Sequence, residues 1–416
     1  MKHVLVAMAV AMAAGIGARA NAQALSLEEA LRLGEKQSPR IEAQRFAVTS
    51  AQEQVGRAGE LPDPKLRFGI ENLPVTGADR FRYDRDFMTM RTVGISQELP
   101  NSAKRAAREL RAERSRDVER AMLGSQRAML HRDIATAWFE AYFAERARVV
   151  LERLVEQLAA QADAVNTGVR RGTQSATDAF MLRVAVEQAR DSVLDQTRLA
   201  SRARIALAAF LPRDAERPLA DAPMISRLPY PRDELLSRLH DHPHLRVYDV
   251  RQDLARADVE VARAGRRSDW SVEVGYGYRR PAFDNMLTVM LAVDLPWQAE
   301  RRQDRDIASR VAEAEKARAE REDARRMHEA ELRSWLADYD AATARIERYR
   351  ATVIPLTRDR TEAALSAYRG GRGELNAVLD AHRAVTDAEL AVIGLEAEQA
   401  KAWASLSFLY PHEGHR

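Results

Sequence analysis

Few residues of this chain have types and spacing that could do chemistry. His240-Asp241-His242-Pro243-His244 puts three imidazoles and a carboxylate within five positions, donors that suit divalent transition ions. Pro243, however, falls where Pro39 opens a helix in a matching stretch, and that stretch reads Gln37-Ser38-Pro39-Arg40. The histidines are therefore expected in an exposed loop rather than around a metal, and His412 and His415 in the tail are read the same way. With no cysteine there is no disulfide and no thiolate metal site. No phosphate-cradling glycine loop, zinc-protease motif, nucleophile elbow or supported pair of catalytic carboxylates is present. No enzyme activity, cofactor or resident metal is expected. What remains is a pair of glycine-bearing turns, Gly168–Thr177 and Gly370–Gly373, with Asp178 and Asp380 a few residues beyond them.

Those turns are held by unusually long helices. The run 101–211 lacks proline, and apolar residues recur at steps of three and four: Ile134, Ala137/Trp138, Ala141/Tyr142, Leu151, Leu154/Val155, Leu158 and Val165. That is the period of an amphipathic helix. The pattern resumes after Gly172 at Leu182, Val186, Ala189 and Val193, which predicts a helical hairpin. At 1.5 Å per residue, an outgoing leg over 101–168 is roughly 100 Å long, more than an ordinary globular domain holds. Trp138, Trp335 and the regularly spaced leucines are read as packing residues between such helices. Pro355 interrupts the second long run and should loosen or kink it.

The plan occurs twice, with a period of about 200 residues. Ser26 with Glu29 forms a capping box before a first helical piece, and Pro39 starts a second. Leu66, Phe68 and Ile70 then alternate with polar or small residues, the period of a strand. A second apolar stretch from about 88 to 99 is ambiguous in its facing. The same order returns after 232, with Val272, Val274, Tyr276 and Tyr278, then Leu287, Val289, Leu291, Val293 and Leu295. Thr92–Pro100 is echoed by Thr288–Pro296. The predicted organisation is a signal peptide over 1–22, cleaved after Ala20-Asn21-Ala22, and a first repeat over 23–211. That repeat has strands at about 65–71 and 88–99 and a hairpin over 101–210. A proline-rich linker over 212–231 leads to a second repeat over 232–410, with strands at about 271–279 and 286–295 and a hairpin over 298–408; a tail follows over 411–416.

Net charge is +3, falling to +1 when Lys2 and Arg19 leave with the signal. There is no clustered basic patch, so nucleic acid is not an expected partner. Four strands, apolar on one face, suit a lipid-facing sheet, but four cannot close a barrel with a lumen. Unpaired edges are not tolerated in lipid, so the chain is expected to oligomerise; three copies give twelve strands. A soluble α+β protein whose sheet packs on its own helices is the competing reading.

In these stretches the chain resembles the outer membrane factors, the TolC-like channel proteins. The resemblance rests on the order and duplication of elements, on Pro62-Asp63-Pro64, on Gln97-Glu98-Leu99-Pro100 with Lys104-Arg105, and on the paired glycine turns. It runs from Leu25 to about Leu409 and is closest to the heavy-metal (CzcC/CusC-like) branch. It implies a mainly α protein with membrane β structure: a homotrimer whose twelve-stranded outer-membrane barrel continues into a periplasmic α-helical barrel. The implied partners are outer membrane lipid, a periplasmic adaptor (membrane fusion) protein and an inner-membrane RND pump. Without cysteine the chain is not expected to be lipid-anchored. The implied role is a passive exit duct for heavy-metal cations. Drug-efflux or type I secretion ducts of the same family, and a periplasmic coiled-coil or adaptor protein, are the alternatives. Aligned on the family's periplasmic entrance, Tyr368, Arg372, Asp380 and Asp178 match gate positions. Gly168, Gly172, Thr173, Gly370, Gly371 and Gly373 match the turns that meet the adaptor. The family's gate arginine position is here Gly373, with Arg372 adjacent, and its outer aspartate is Ala377. Asp178 and Asp380 could equally be polar residues in the first turns of the returning helices.

Overall fold

The computed structural model describes residues 24–410; the expected signal peptide and tail histidines lie outside them. Helices α1 (Leu27–Gln37) and α2 (Pro39–Ala58) come first, then strands β1 (Lys65–Glu71) and β2 (Met90–Leu99). The hairpin α3 (Ser102–Arg170) and α4 (Ala176–Ala208) completes the first half. The second half holds α5 (Arg232–Ser237), α6 (Pro243–Ala264), β3 (Trp270–Tyr278) and β4 (Met286–Val293). Its long helical run is α7 (Gln303–Arg348), a π-helical stretch Tyr349–Val353, α8 (Ile354–Arg369) and α9 (Leu375–Ser407). The local signals explain the starts. Ser26 Oγ accepts from the Glu29 N–H, and Ser38 Oγ accepts from that of Ile41 with Pro39 at the first helical position. The 69 residues of α3 form one helix because nothing in them interrupts it. The second run is not one helix: Pro355 offers no N–H to the carbonyl of Ala351, and the turn before it widens so that the Ile354 N–H donates to Tyr349 O, five residues back.

Two compact units emerge. One comprises residues 24–33 and 137–224, the other 34–136 and 225–410. In the first, Leu25 pairs with Leu219, its carbonyl accepts the buried Trp138 indole N–H at 3.1 Å, and Gln196 Nε2 donates to Ala144 O across the hairpin. Leu151, Leu154, Leu158 and Val165 are buried, as are Leu182, Val186 and Ala189, the stripes read from the sequence. In the second unit, Leu235, Leu239, Leu245, Leu332, Leu336, Tyr339 and Leu406 form a core. The Tyr410 hydroxyl, buried and donating to Leu235 O at 2.5 Å, is pushed up to about 12 by burial.

The second unit also holds a single antiparallel sheet in the order β1-β2-β3-β4. Its register settles the facing of β2: Phe68 stands opposite Val93, Val93 opposite Tyr276, and Tyr276 opposite Leu287. Leu66, Ile95, Val274 and Val289 form the next such row. One face of the sheet is therefore apolar across all four strands, and it is bare: Phe68 is 76% exposed, Leu287 71% and Val289 67%. The opposite face carries Thr92, Gly94, Glu273, Gly275 and Thr288, with Arg67 paired to Glu273 at 3.0 Å. A sheet packed on its own helices would bury the first of these faces. At the base of the sheet Asp269, just before β3, binds Lys104 Nζ and the Asn101 N–H; burial opposes ionisation there, but these bonds and the Lys104 charge hold the carboxyl below its ordinary value.

Candidate functional site

Each hairpin tip is a helix end that closes on itself. In the first, the Gly172 N–H donates to Val169 O (3.0 Å) and the Thr173 N–H to Gly168 O (2.9 Å). In the second, the Gly371 N–H donates to Tyr368 O (3.0 Å) and the Arg372 N–H to Ala367 O (2.9 Å). Both are Schellman caps, with glycine in the left-handed region at the position that demands it: Gly172 at φ +72° and Gly371 at φ +68°. The two tips are thus one motif repeated, pairing Gly172 with Gly371 and Thr173 with Arg372. Gly168 and Gly373 serve a different need. A Cβ on Gly373 would meet Ala367 Cβ and the Tyr368 nitrogen at 3.0 Å, whereas one on Gly168 would meet the Gln174 side chain at 2.4 Å. Gly370 has an ordinary backbone, and its position within the turn requires no glycine. Thr173 adds a side-chain bond from Oγ1 to Gly168 O, and Ser175 Oγ caps α4 by accepting from the Thr177 N–H.

The expected gate residues divide between the two units. Asp178 lies in the first turn of α4, half-buried, in the first unit. Tyr368, half-buried, is the last residue but one of α8, and Arg372 is exposed in the turn. Asp380 is exposed at the sixth position of α9, beyond its first turn, which contains no acidic residue. Asp380 therefore does not lie in a first turn as expected, whereas Asp178 does. No ion pair joins Arg372 to Asp380 among the described residues, so one chain does not by itself make that link. The α8–α9 leg has ion pairs elsewhere: Arg350 with the buried Glu396, and Arg358 with Glu389 at 2.7 Å.

The histidine stretch also needs correction. Only His240 is exposed, and it lies in a 3-10 turn over Leu239–Asp241; His242 and His244 are partly buried. His242 caps α6, its Nδ1 accepting the His244 N–H at 3.2 Å, and it stands beside His328 of α7. His328 lies 84 residues beyond His244 in sequence, and no local motif marks it as the third member.

A family model described as outer membrane efflux protein matches residues 30–212 and 236–410. The cobalt-zinc-cadmium resistance protein CzcC of Cupriavidus metallidurans is 26% identical over 375 residues, 89% of this chain and 86% of its own. Among solved structures, CusC superposes with a TM-score of 0.78 at 14% identity, covering 93% of this chain and 92% of that one. The outer membrane protein VceC of Vibrio cholerae superposes with a TM-score of 0.74 at 17% identity, covering 92% and 95%. The family match spans both repeats and all four strands, and the structural likenesses show the channel fold over more than nine tenths of the chain.

Proposed function

The chain belongs to the outer membrane efflux protein family, and we propose that it is the trimeric exit duct of a tripartite efflux system carrying heavy-metal cations. The observation that carries the duct is the bare apolar face of the sheet, with β1 and β4 each left without a partner on one side. In lipid, unpaired strand edges leave backbone groups unsatisfied, and closure with two further copies removes every edge. The polar and small residues of the other face then line an aqueous lumen. The heavy-metal assignment draws on the similarity to CzcC. On this reading the adaptor protein engages the two Schellman turns, and the inner-membrane pump delivers the cargo.

At the entrance, Asp380 and Asp178 repeat around the threefold axis, and a ring of carboxylates at a narrow mouth attracts cations and repels anions. Tyr368 narrows the same mouth, and Arg372 supplies a cation for links between neighbouring protomers. The experiment is deletion of the gene followed by growth on cobalt, zinc, cadmium and copper and on a drug panel. The expected result is lost metal tolerance with drug tolerance unchanged. Lost drug tolerance with metal tolerance intact overturns the cargo while leaving the duct. Recovery of the protein as a soluble periplasmic monomer overturns the duct.

A further inference from the structure

The second unit contains a cluster that the duct does not use. His242, His244 and His328 surround a cavity of about 200 Å³ completed by Ser125, Arg132 and Glu331. The His242 and His328 rings are 4.9 Å apart, those of His244 and His328 5.0 Å, and those of His242 and His244 6.5 Å. Three imidazoles invite a metal reading, but among the described residues no three His, Asp or Glu side chains converge as a metal centre. One nitrogen is also committed: His242 Nδ1 accepts the N–H that starts α6, so its lone pair belongs to the helix cap. His328 Nδ1 is buried without a hydrogen bond, and the Glu331 carboxylate is 3.9 Å away.

The chemistry the arrangement does carry is proton uptake. A protonated imidazole donates from both nitrogens and cannot accept. Protonating His242 therefore removes the cap of α6 and sets a positive charge at the helix end that already carries the positive dipole. It also places that charge against His328 and His244. The surrounding groups on each packed element are few. Arg132 and Ser125 come from α3, with Ser125 Oγ 3.2 Å from His244 Nδ1, and Arg251 and Tyr248 from α6. Glu331 comes from α7; Ser405 of α9 adds no charge. His131, also on α3, is paired with Glu35 at 3.0 Å. Among the described residues lining the cavity, Glu331 is the one carboxylate, against three imidazoles and the Arg132 guanidinium, so added protons meet mostly like charge.

We propose that His242 and His244, packed against His328, form an acid-released fastener: neutral, they cap α6 and join it to α7 and α3; protonated, they let the start of α6 open. Burial, then the neighbouring imidazoles, lowers His242 to about 3, and burial, then the neighbouring His328 imidazole, lowers His244. Groups lowered in the folded state bind protons on opening, so closure is complete above the ordinary histidine value of about 6.5 and weakens as pH falls below it. Because only residues 265–269 separate α6 from β3, opening at its start loosens the helix that feeds the sheet.

The test is hydrogen exchange of the detergent-solubilised full protein, corrected for intrinsic rates, over peptides covering 239–250 and 325–335. From pH 7.5 to 5.5 the opening constant should rise about tenfold for each imidazole that titrates on opening, with α4 unchanged. His242→Asn keeps a side-chain acceptor at the cap and cannot titrate, so it should remove about one tenfold factor. His242→Ser serves the same purpose if the asparagine variant does not assemble. A flat wild-type profile, or the full pH dependence retained in His242→Asn, overturns the proposal. So does zinc at pH 7.5 raising protection over the chelated protein in a His242-dependent way, which would make the cluster a metal site.

Discussion

At the scale of single residues, the tips separate glycines that hold a conformation from glycines that leave room. Gly172→Ala and Gly371→Ala each force a side chain into the left-handed region and should weaken their turn by about 1 kcal/mol, with asparagine less costly than alanine. Faster hydrogen exchange confined to each tip is the readout. Gly168→Ala puts a Cβ 2.4 Å from Gln174 Cγ and 3.0 Å from its Cβ, and Gly373→Ala puts one 3.0 Å from Ala367 Cβ and the Tyr368 nitrogen, so both should disturb their tips, the first at least as much as the second. For the proposed mouth, Asp380→Ala with Asp178→Ala should lower cation preference and raise leak current in planar bilayers; conductance and selectivity equal to wild type would remove both from the gate. The turns were legible because glycine between long helical runs has a local cause. The histidine cluster was not: Pro243 correctly located the start of α6, but burial of His242 and His244 depends on His328, which tertiary packing alone brings there.

At the scale of elements, the leg that carries the second tip is tied unevenly. Arg350, in the π-helical stretch, pairs with Glu396, whose side chain is 7% exposed, whereas Arg358 pairs with the 17% exposed Glu389. Removing the cation from the more buried carboxylate leaves less solvent to compensate it. Arg350→Ala should therefore loosen this leg from α9 more than Arg358→Ala does, each by about 1 kcal/mol or less because both arginines are mostly exposed. Local opening over 354–369, followed by hydrogen exchange, ranks the two; equal effects would mean that burial does not set the strength of these pairs. Helix α3 and strands β1, β3 and β4 were readable from period alone, since periods of 3.6 and 2 belong to the backbone, whereas the facing of β2 needed its register. The wide turn at Tyr349–Val353 was foreseen only as a loosening at Pro355, because how a helix absorbs a missing N–H depends on its neighbours.

At the scale of the whole molecule, the two faces of the sheet make opposite demands on their surroundings, and that difference can be tested without knowing the cargo. Phe68, Val93, Tyr276 and Leu287 lie in one row on the apolar face; Thr92, Gly94, Gly275 and Thr288 belong to the other. If three copies close the sheet in a bilayer, the first face meets hydrocarbon and the second meets water. A lysine at mid-membrane on a barrel's lipid face costs about 2–4 kcal/mol and falls towards zero near the interfaces, whereas a lysine facing the lumen has solvent. Val289→Lys should therefore reduce the heat-resistant trimer recovered from outer membranes, and Thr288→Lys, one residue away, should leave it near wild type while shifting ion selectivity. If the sheet instead stayed in water, both substitutions would fall on solvated surface and neither would change membrane recovery. Adjacent residues with opposite outcomes require a face in lipid and a face in water. That pattern, with a mass of three chains in detergent, is what a duct built from four strands per copy demands.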